Sequence, residues 1–292
     1  MTSMEKKIVI VTGANSGIGK ATAIELAKKG FYVILACRSK EKAQEVLDII
    51  KENGGEGEIR LLDLLDLDSV RSFASNYTKD YDRLDVLVDN AGILRTHKVM
   101  TKDGFESQFQ TNYLSHFLLT LLLLPTMAKT KGSRCAILSS LAHAWFPMNL
   151  EDINYDKEFT PRMSYGRSKL ANLIFALELT KRLKPLKTDF TINAVDPGIV
   201  GTNICYNRET GGGKFLATIS KPFLRSPKMG AKGSIYLAST KNEVGSGNLY
   251  KNHHIKKHKD YADDPKINKA LFDLSCQLVN IKFEDIIEKI EA

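Results

Sequence analysis

Short apolar runs rich in β-branched residues alternate along the chain with longer stretches whose apolar positions recur at helical spacing. The runs at Lys7–Val11, Phe31–Ala36, Glu58–Leu62, Leu84–Val88, Arg134–Leu138, Phe190–Val195 and Asn248–Tyr250 read as strands. Phe31–Ala36 is nearly all apolar, the composition of a strand buried on both faces. Helices are expected at Lys20–Lys29, at Lys40–Asn53 closed by Gly54-Gly55, and from a cap at Asp68 or Ser69 to about Lys79. A further long helix carries Asn112, His116 and a leucine run, and Tyr165–Leu183 is periodic until Pro185 stops it. Pro227–Ser239 and Pro265–Val279 complete the set, followed by a charged tail. Leu141–Ser164 reads as irregular, and Gly211-Gly212-Gly213 opens a flexible stretch.

The first strand runs into Thr12-Gly13-Ala14-Asn15-Ser16-Gly17-Ile18-Gly19 and then a helix. Strand, glycine-rich turn and helix start form the place where a dinucleotide's phosphates meet backbone N–H groups and the positive helix end. Glycine supplies positive φ in the turn and lets the backbone approach the pyrophosphate. With no polar linker and no repeat, the alternation predicts an α/β fold. Its form is a single Rossmann-type doubly wound domain over 1–292, a mostly parallel sheet of about seven strands with helices on both faces. Ligands bind such sheets beyond the carboxyl ends of the strands. The polar groups Asp89-Asn90-Ala91-Gly92, Ser139-Ser140 and Asp196-Pro197-Gly198 each follow a strand, on that same rim.

Composition adds little. With 292 residues, 43% hydrophobic and 26% charged, the chain has room for a full core. The net charge of +8 comes from lysines spread along the chain, and no aromatic-basic or helix-turn-helix pattern points to nucleic acid. The densest basic run, Lys251–Lys259, holds His253, His254 and His258 without regular ligand spacing, so no metal is expected. Cys37, Cys135, Cys205 and Cys276 stand far apart with no signal peptide, which predicts reduced intracellular thiols. The apolar run Phe117–Pro125 is far shorter than the roughly 20 residues that span a bilayer.

Thr12-Gly-x-x-x-Gly17-x-Gly19, Asn90-Ala91-Gly92, Asn112, Ser140 and Tyr165-Gly166-Arg167-Ser168-Lys169 occur together in this order. The set resembles the signature of the short-chain dehydrogenases/reductases over nearly the whole chain. The flanking text, Ala36-Cys37-Arg38-Ser39, Asn112 through Thr120 and Tyr165 through Asn172, is similar to the retinol dehydrogenase-like branch. So are Ser226-Pro227-x-x-Gly230-Ala231 and the wide gap between Ser140 and Tyr165.

Tyr165 and Lys169, one helical turn apart, share a face, and a cationic lysine lowers a phenol whose ordinary pKa is about 10. Tyr165 is thus the expected acid in carbonyl reduction and the base in the reverse direction. The resemblance implies that Lys169 also holds the nicotinamide ribose, that Ser140 donates to the substrate oxygen, and that Asn112 stabilises a helix kink and a water link to Lys169. It also places Gly13, Asn15, Ser16, Gly17, Ile18 and Gly19 on the cofactor phosphates and Asp63 and Leu64 at the adenine. Asn90, Ala91 and Gly92 go to the adenosine half, and Pro197, Gly198 and Thr202 to the nicotinamide amide. Asp89 stands where the family carries asparagine, and no role is transferred to it. At the end of strand two, Arg38 and Ser39 with no carboxylate favour NADP (NADPH) over NAD.

The resemblance and the residues together predict an NADP-dependent oxidoreductase that interconverts a hydroxyl and a carbonyl on an apolar substrate of the retinoid, steroid or lipid aldehyde/ketone class. The alternative is a catalytically weak nucleotide-sensing or scaffold protein on the same fold. The segment 198–228 is the expected substrate lid, and within it the apolar and cationic residues of 214–225 suit a greasy pocket, membrane contact or ordinary core packing. The Leu118–Leu124 helix and the Tyr165 helix suit either a homodimer bundle or the core of one chain. Relatives in the branch often carry an N-terminal membrane anchor, whereas this chain reaches its first strand almost at once. The expectation is a cytoplasmic protein, with peripheral contact to an intracellular membrane as the second choice.

Overall fold

The computed structural model describes residues 6–200 and 225–292. Its strands are β1 (Ile8–Thr12), β2 (Tyr32–Cys37), β3 (Glu56–Leu61), β4 (Val86–Asp89), β5 (Arg134–Leu138), β6 (Thr191–Val195), β7 (Leu249–Lys251) and β8 (His254–Ile255). They form one sheet in the order β3-β2-β1-β4-β5-β6-β7-β8. All neighbours from β3 to β7 are parallel, and β8 pairs antiparallel with β7. The strand order reverses between β1 and β4, which opens a crevice at their carboxyl ends. β8 has two residues, too few to leave a pattern in the sequence.

Helices cover both faces because β1 buries both of its own. Ile8 and Ile10 point into one apolar cluster, Val9 and Val11 into the other. The second cluster takes α1 (Gly17–Lys28), α2 (Lys40–Glu52) and α6 (Pro227–Ser239). The first takes α3 (Leu67–Asp80), α4 (107–129), α5 (Pro161–Leu183), α7 (Pro265–Leu278) and α8 (Phe283–Glu291). α4 begins as an α turn at Ser107–Phe109, passes through a π-helical segment at Gln110–Leu114 and resumes as α-helix at Ser115–Lys129.

Three helices differ most from the sequence reading. α3 is capped by Asp66, whose carboxylate accepts from Asp68 N and Ser69 N, rather than by Asp68 or Ser69. α5 begins at Pro161, with Thr160 Oγ1 accepting from Met163 N, so Tyr165 sits in the second turn. The continuous buried face of α5 sets in only after Tyr165, which hides the start. The charged tail is α8, an amphipathic helix whose Phe283 and Ile286 are buried and whose Ile287 and Ile290 pack beside them. Leu118, Leu119, Leu121, Leu123 and Leu124 are fully buried within this one chain. Among the described residues no helix is long and apolar enough to cross a membrane, and no group of His, Cys, Asp and Glu could hold a metal ion.

Candidate active site

The glycine-rich turn lies where the fold puts it, between β1 and α1. Gly13 and Gly17 have φ of 63° and 54°, left-handed values that glycine adopts at little cost. A Cβ on Gly19 would stand 2.3 Å from Gly13 O and 2.5 Å from Asn90 Nδ2, so no larger residue fits. Ser16 caps α1 without a side-chain hydrogen bond, which leaves the first N–H groups of the helix for an anion. Asn15, Ser16 and Ile18 line the same turn, and Asn90 Oδ1 beside it is buried without a hydrogen-bond partner. The glycine turn and the open helix start fit the pyrophosphate half of a dinucleotide, and the orphaned Asn90 acceptor suits a donor such as a hydroxyl beside it.

The loops after β2 and β3 stand further along this edge. Arg38 is exposed. Ser39 caps α2 by accepting from Lys42 N at 3.4 Å and donates to Glu41 Oε2 at 2.9 Å. The strand end itself carries no carboxylate, yet Glu41 reaches it from the first turn of α2. Asp63 Oδ1 accepts from Leu65 N at 3.0 Å, and Leu64 O accepts from Ser115 Oγ at 2.7 Å, which fixes the β3–α3 loop against α4.

Asn112 occupies the π-helical segment, fully buried. Its side chain is spent on holding the loop after β4: Oδ1 accepts from Ile93 N at 2.7 Å, and Nδ2 donates to Ile93 O and Ser168 Oγ, both at 3.0 Å. Its main-chain carbonyl accepts from His116 Nδ1 at 3.2 Å and Asn172 Nδ2 at 3.0 Å. Lys169 Nζ donates to Leu138 O at 3.0 Å, an acceptor shared with Asn172 Nδ2 at 2.9 Å. A Cβ on Gly92 would lie 3.2 Å from Asn112 Oδ1 and 3.5 Å from Lys169 Nζ. Gly92, Asn112 and Lys169 therefore converge.

Lys169 is buried to 3% exposure, and burial pushes its ammonium down to about 8. It lies 5.8 Å from the centre of the Tyr165 ring. The two serines after β5 divide their work. Ser139 Oγ donates to Lys169 O at 2.8 Å and belongs to the scaffold. Ser140 Oγ accepts from Ala142 N at 3.2 Å, an arrangement that leaves its O–H to donate.

Beyond β6, Gly198 has φ 76° and its N–H donates to Asp196 Oδ1 at 2.9 Å. Thr202 lies outside the described residues, as do most of the expected lid at 198–228 and all of 214–225 except Arg225. Asp89 is buried on the α4 side, where Thr120 Oγ1 donates to it at 2.7 Å, and burial raises its carboxyl to about 7.

Sequence reasoning passed over Thr12 and His116 as site residues. Thr12 Oγ1 accepts from Asn90 N and Ala91 N, each at 2.9 Å, and lies 2.9 Å from His116 Nε2. A carbonyl can only accept, so His116 Nδ1, facing Asn112 O, carries the proton and Nε2 accepts from Thr12. Thr12 and His116 thereby join the cofactor turn to the π-helical segment. The available signal was a histidine one turn after an asparagine in an otherwise apolar helix.

Comparison with known proteins agrees with this geometry. The family model for short chain dehydrogenases matches residues 7–211. Retinol dehydrogenase 13 of Mus musculus is 40% identical over 285 residues, covering 94% of this chain and 84% of its own. Retinol dehydrogenase 14 of the same species is 36% identical, covering 95% of this chain and 87% of its own. Among solved structures, a Mycobacterium paratuberculosis protein superposes with a TM-score of 0.78 at 36% identity, over 95% of this chain and 94% of that one. Actinorhodin polyketide ketoreductase with NADPH shares the fold at a TM-score of 0.67 and 23% identity, over 86% of this chain and 97% of that one. Motif, fold and relatives agree that the chain belongs to the short-chain dehydrogenases, in their retinol dehydrogenase-like branch.

Proposed function

We propose that the protein is an NADP-dependent oxidoreductase interconverting a hydroxyl and a carbonyl on an apolar substrate of the retinoid, steroid or lipid aldehyde/ketone class. The observation that carries this reading is the buried Lys169 ammonium 5.8 Å from the Tyr165 ring, beside the turn that Ser140 begins. Relatives named for retinol, an apolar alcohol, support the substrate class.

Gly13, Asn15, Ser16, Gly17, Ile18 and Gly19 would hold the pyrophosphate, and Asp63, Leu64, Asn90, Ala91 and Gly92 the adenosine half. Pro197, Gly198 and Thr202 would hold the nicotinamide end, with Lys169 and Tyr165 on its ribose. Arg38 and Ser39 would read the 2′-phosphate, Ser39 exchanging Glu41 for it. The bound nicotinamide supplies or accepts a hydride. Ser140 donates to the substrate oxygen and orients it. Tyr165 gives that oxygen its hydroxyl proton in reduction and takes it back in oxidation. The Lys169 ammonium stabilises the phenolate formed in between. Asn112 and Asn172 keep the floor of the site in register.

Tyr165→Phe tests the reading in a screen of NADPH oxidation with retinal, steroid ketones, medium-chain aldehydes and quinones. Turnover should fall by roughly 10²- to 10⁴-fold with NADPH binding retained. Undiminished turnover would remove Tyr165 from the mechanism. A wild-type chain that binds NADPH and turns over none of these compounds would be a nucleotide sensor or scaffold.

A further inference from the structure

The basic run Lys251–Lys259 is unexplained by the reaction, and its backbone course accounts for it. The chain turns back after β7 at Asn252, φ 58°, and forms β8. Lys256 N then donates to Leu249 O at 2.7 Å, which brings its side chain across the carboxyl end of β6. There Lys256 Nζ meets Asp196 Oδ2 at 2.7 Å, with the aspartate side chain 1% exposed and the lysine 26%. The other carboxylate oxygen accepts from Gly198 N at 2.9 Å. One buried carboxylate thus joins the basic run to the turn expected to hold the nicotinamide end. Burial alone would raise Asp196, yet the Lys256 ammonium and the Gly198 N–H hold its carboxyl below the usual range.

A few residues on, the 3₁₀ turn Asp260–Asp263 carries Tyr261, whose hydroxyl donates to His143 O at 3.1 Å. His143, 2% exposed, donates to Ser140 O twice, from its backbone N at 3.1 Å and from Nδ1 at 2.6 Å. The same segment therefore touches the serine turn through one intermediary and the β6 turn directly. His253 and His254 instead lie tilted against each other, 4.0 Å between ring centres, in the exposed hairpin.

We propose that residues 256–263 form a strap in which Lys256 positions the Pro197–Gly198 turn through Asp196, and Tyr261 positions Ser140 through His143. The strap rests on the oxidoreductase reading and gives that site two positioning residues outside the family signature. A carboxylate this deeply buried holds its place only while paired; unpaired it turns out to water and leaves the Gly198 N–H without its acceptor. The strap thereby makes the geometry of the cofactor turn depend on a side chain nearly sixty residues away in sequence.

NADPH titration and steady-state kinetics of Lys256→Met and Tyr261→Phe test the proposal. K256M should raise the NADPH Kd about tenfold or more, the loss expected for one charge-assisted hydrogen bond. The KM for the carbonyl substrate at saturating NADPH should stay within about twofold, because the altered turn serves the cofactor. Y261F should lower kcat several-fold with the NADPH Kd unchanged, and K256R should recover most of the affinity. If K256M does not fold, two double variants that bury no lone charge carry the test. D196N K256M keeps an acceptor for Gly198 and should bind NADPH nearly as the wild type does; D196A K256M lacks one and should bind about tenfold more weakly. Equal affinities in that pair, or a K256M that binds as tightly as the wild type, overturn the strap. A wild type that fails to bind NADPH overturns the oxidoreductase reading instead. Hydrogen exchange at Gly198, faster in K256M than in wild type, reports the contact without any ligand, and unchanged exchange there also overturns the strap.

Discussion

α4 and α5 run side by side and bury two regions of opposite chemistry. Toward the strand ends they place Asn112, His116, Ser168, Lys169 and Asn172, all polar and all buried. Next to these in sequence, on the side facing α7 and α8, they place Tyr113, Phe117 and Phe175, which pack with Phe272 and Phe283. Phe117 and Phe175 lie 4.8 Å apart between ring centres, and Phe272 and Phe283 lie 5.0 Å apart. The aromatic side is held by area and shape, so its contribution is large and non-directional. The polar side is held partner by partner, each donor to a named acceptor, and much of its value lies in geometry rather than stability. The two regions should therefore fail in different ways.

The largest loss of stability belongs to the aromatic side. Phe272 is 1% exposed, and the Arg182 guanidinium stacks on it at 4.1 Å while pairing with Glu178 and Asp273. Phe272→Ala should cost about 3–5 kcal/mol in urea unfolding, the range for emptying a phenylalanine site. NADPH affinity of the folded protein should not change. A weakened Kd in folded F272A would show that the aromatic pack also sets the site's geometry.

Lys169→Met should do the reverse, abolishing turnover while stabilising the fold. The folded-state pKa of about 8 lies below the ordinary 10.5, so between those values the unfolded chain binds the extra proton. Stability then rises with pH across that window, and below it the cost of burying the ammonium stands in full. Removing the ammonium removes that cost, a gain of order 3 kcal/mol at pH 7. Leu138 O keeps Asn172 Nδ2 as its donor, so no acceptor is stranded. Unfolding at pH 7 and pH 9.5 should show a rise in the wild type that K169M lacks; parallel curves would mean that Lys169 is buried at no cost.

The same contrast explains what was legible in the sequence. The strands were, because Val9, Val11, Val33 and Leu35 leave apolar runs that only a sheet covered on both faces requires. α8 was not, since its glutamates, Asp285 and Lys289 mask Phe283 and Ile286 until the helical period is laid over them. Tyr165, Lys169, Ser140 and Asn112 were legible as a spaced set, and the structure brings Asn112, Lys169 and the loop after β4 together. Their partners were not. Thr12 and His116 are 104 positions apart, and Asp196 and Lys256 are 60 apart, distances over which only the packed sheet decides who meets whom. The π-helical segment showed only as the helix kink that the resemblance implies at Asn112, because propensity does not register one extra residue in a turn.

His116→Phe is the mildest test and probes the polar side alone. Without the imidazole, the Thr12 hydroxyl still has Val88 O at 3.4 Å, and Asn112 O still has Asn172 Nδ2. The loss at pH 7 should therefore stay near 1 kcal/mol, the net worth of one buried hydrogen bond. Acid separates the two proteins. Burial, with the Lys169 charge nearby, drives His116 from 6.5 to about 3 in the folded state. Between those values the unfolded chain takes up a proton that the folded chain refuses, so the wild type loses stability as pH falls through that window, by about 1.4 kcal/mol per unit. H116F has no such group and is spared this share of the acid loss, while carboxylates elsewhere act on both proteins alike. The stability curves should cross between pH 6 and pH 5, with wild type above at neutrality and H116F above in acid. Curves that never cross would mean that His116 is protonated in the folded protein, with Nε2 donating to Thr12 Oγ1 while Nδ1 still donates to Asn112 O.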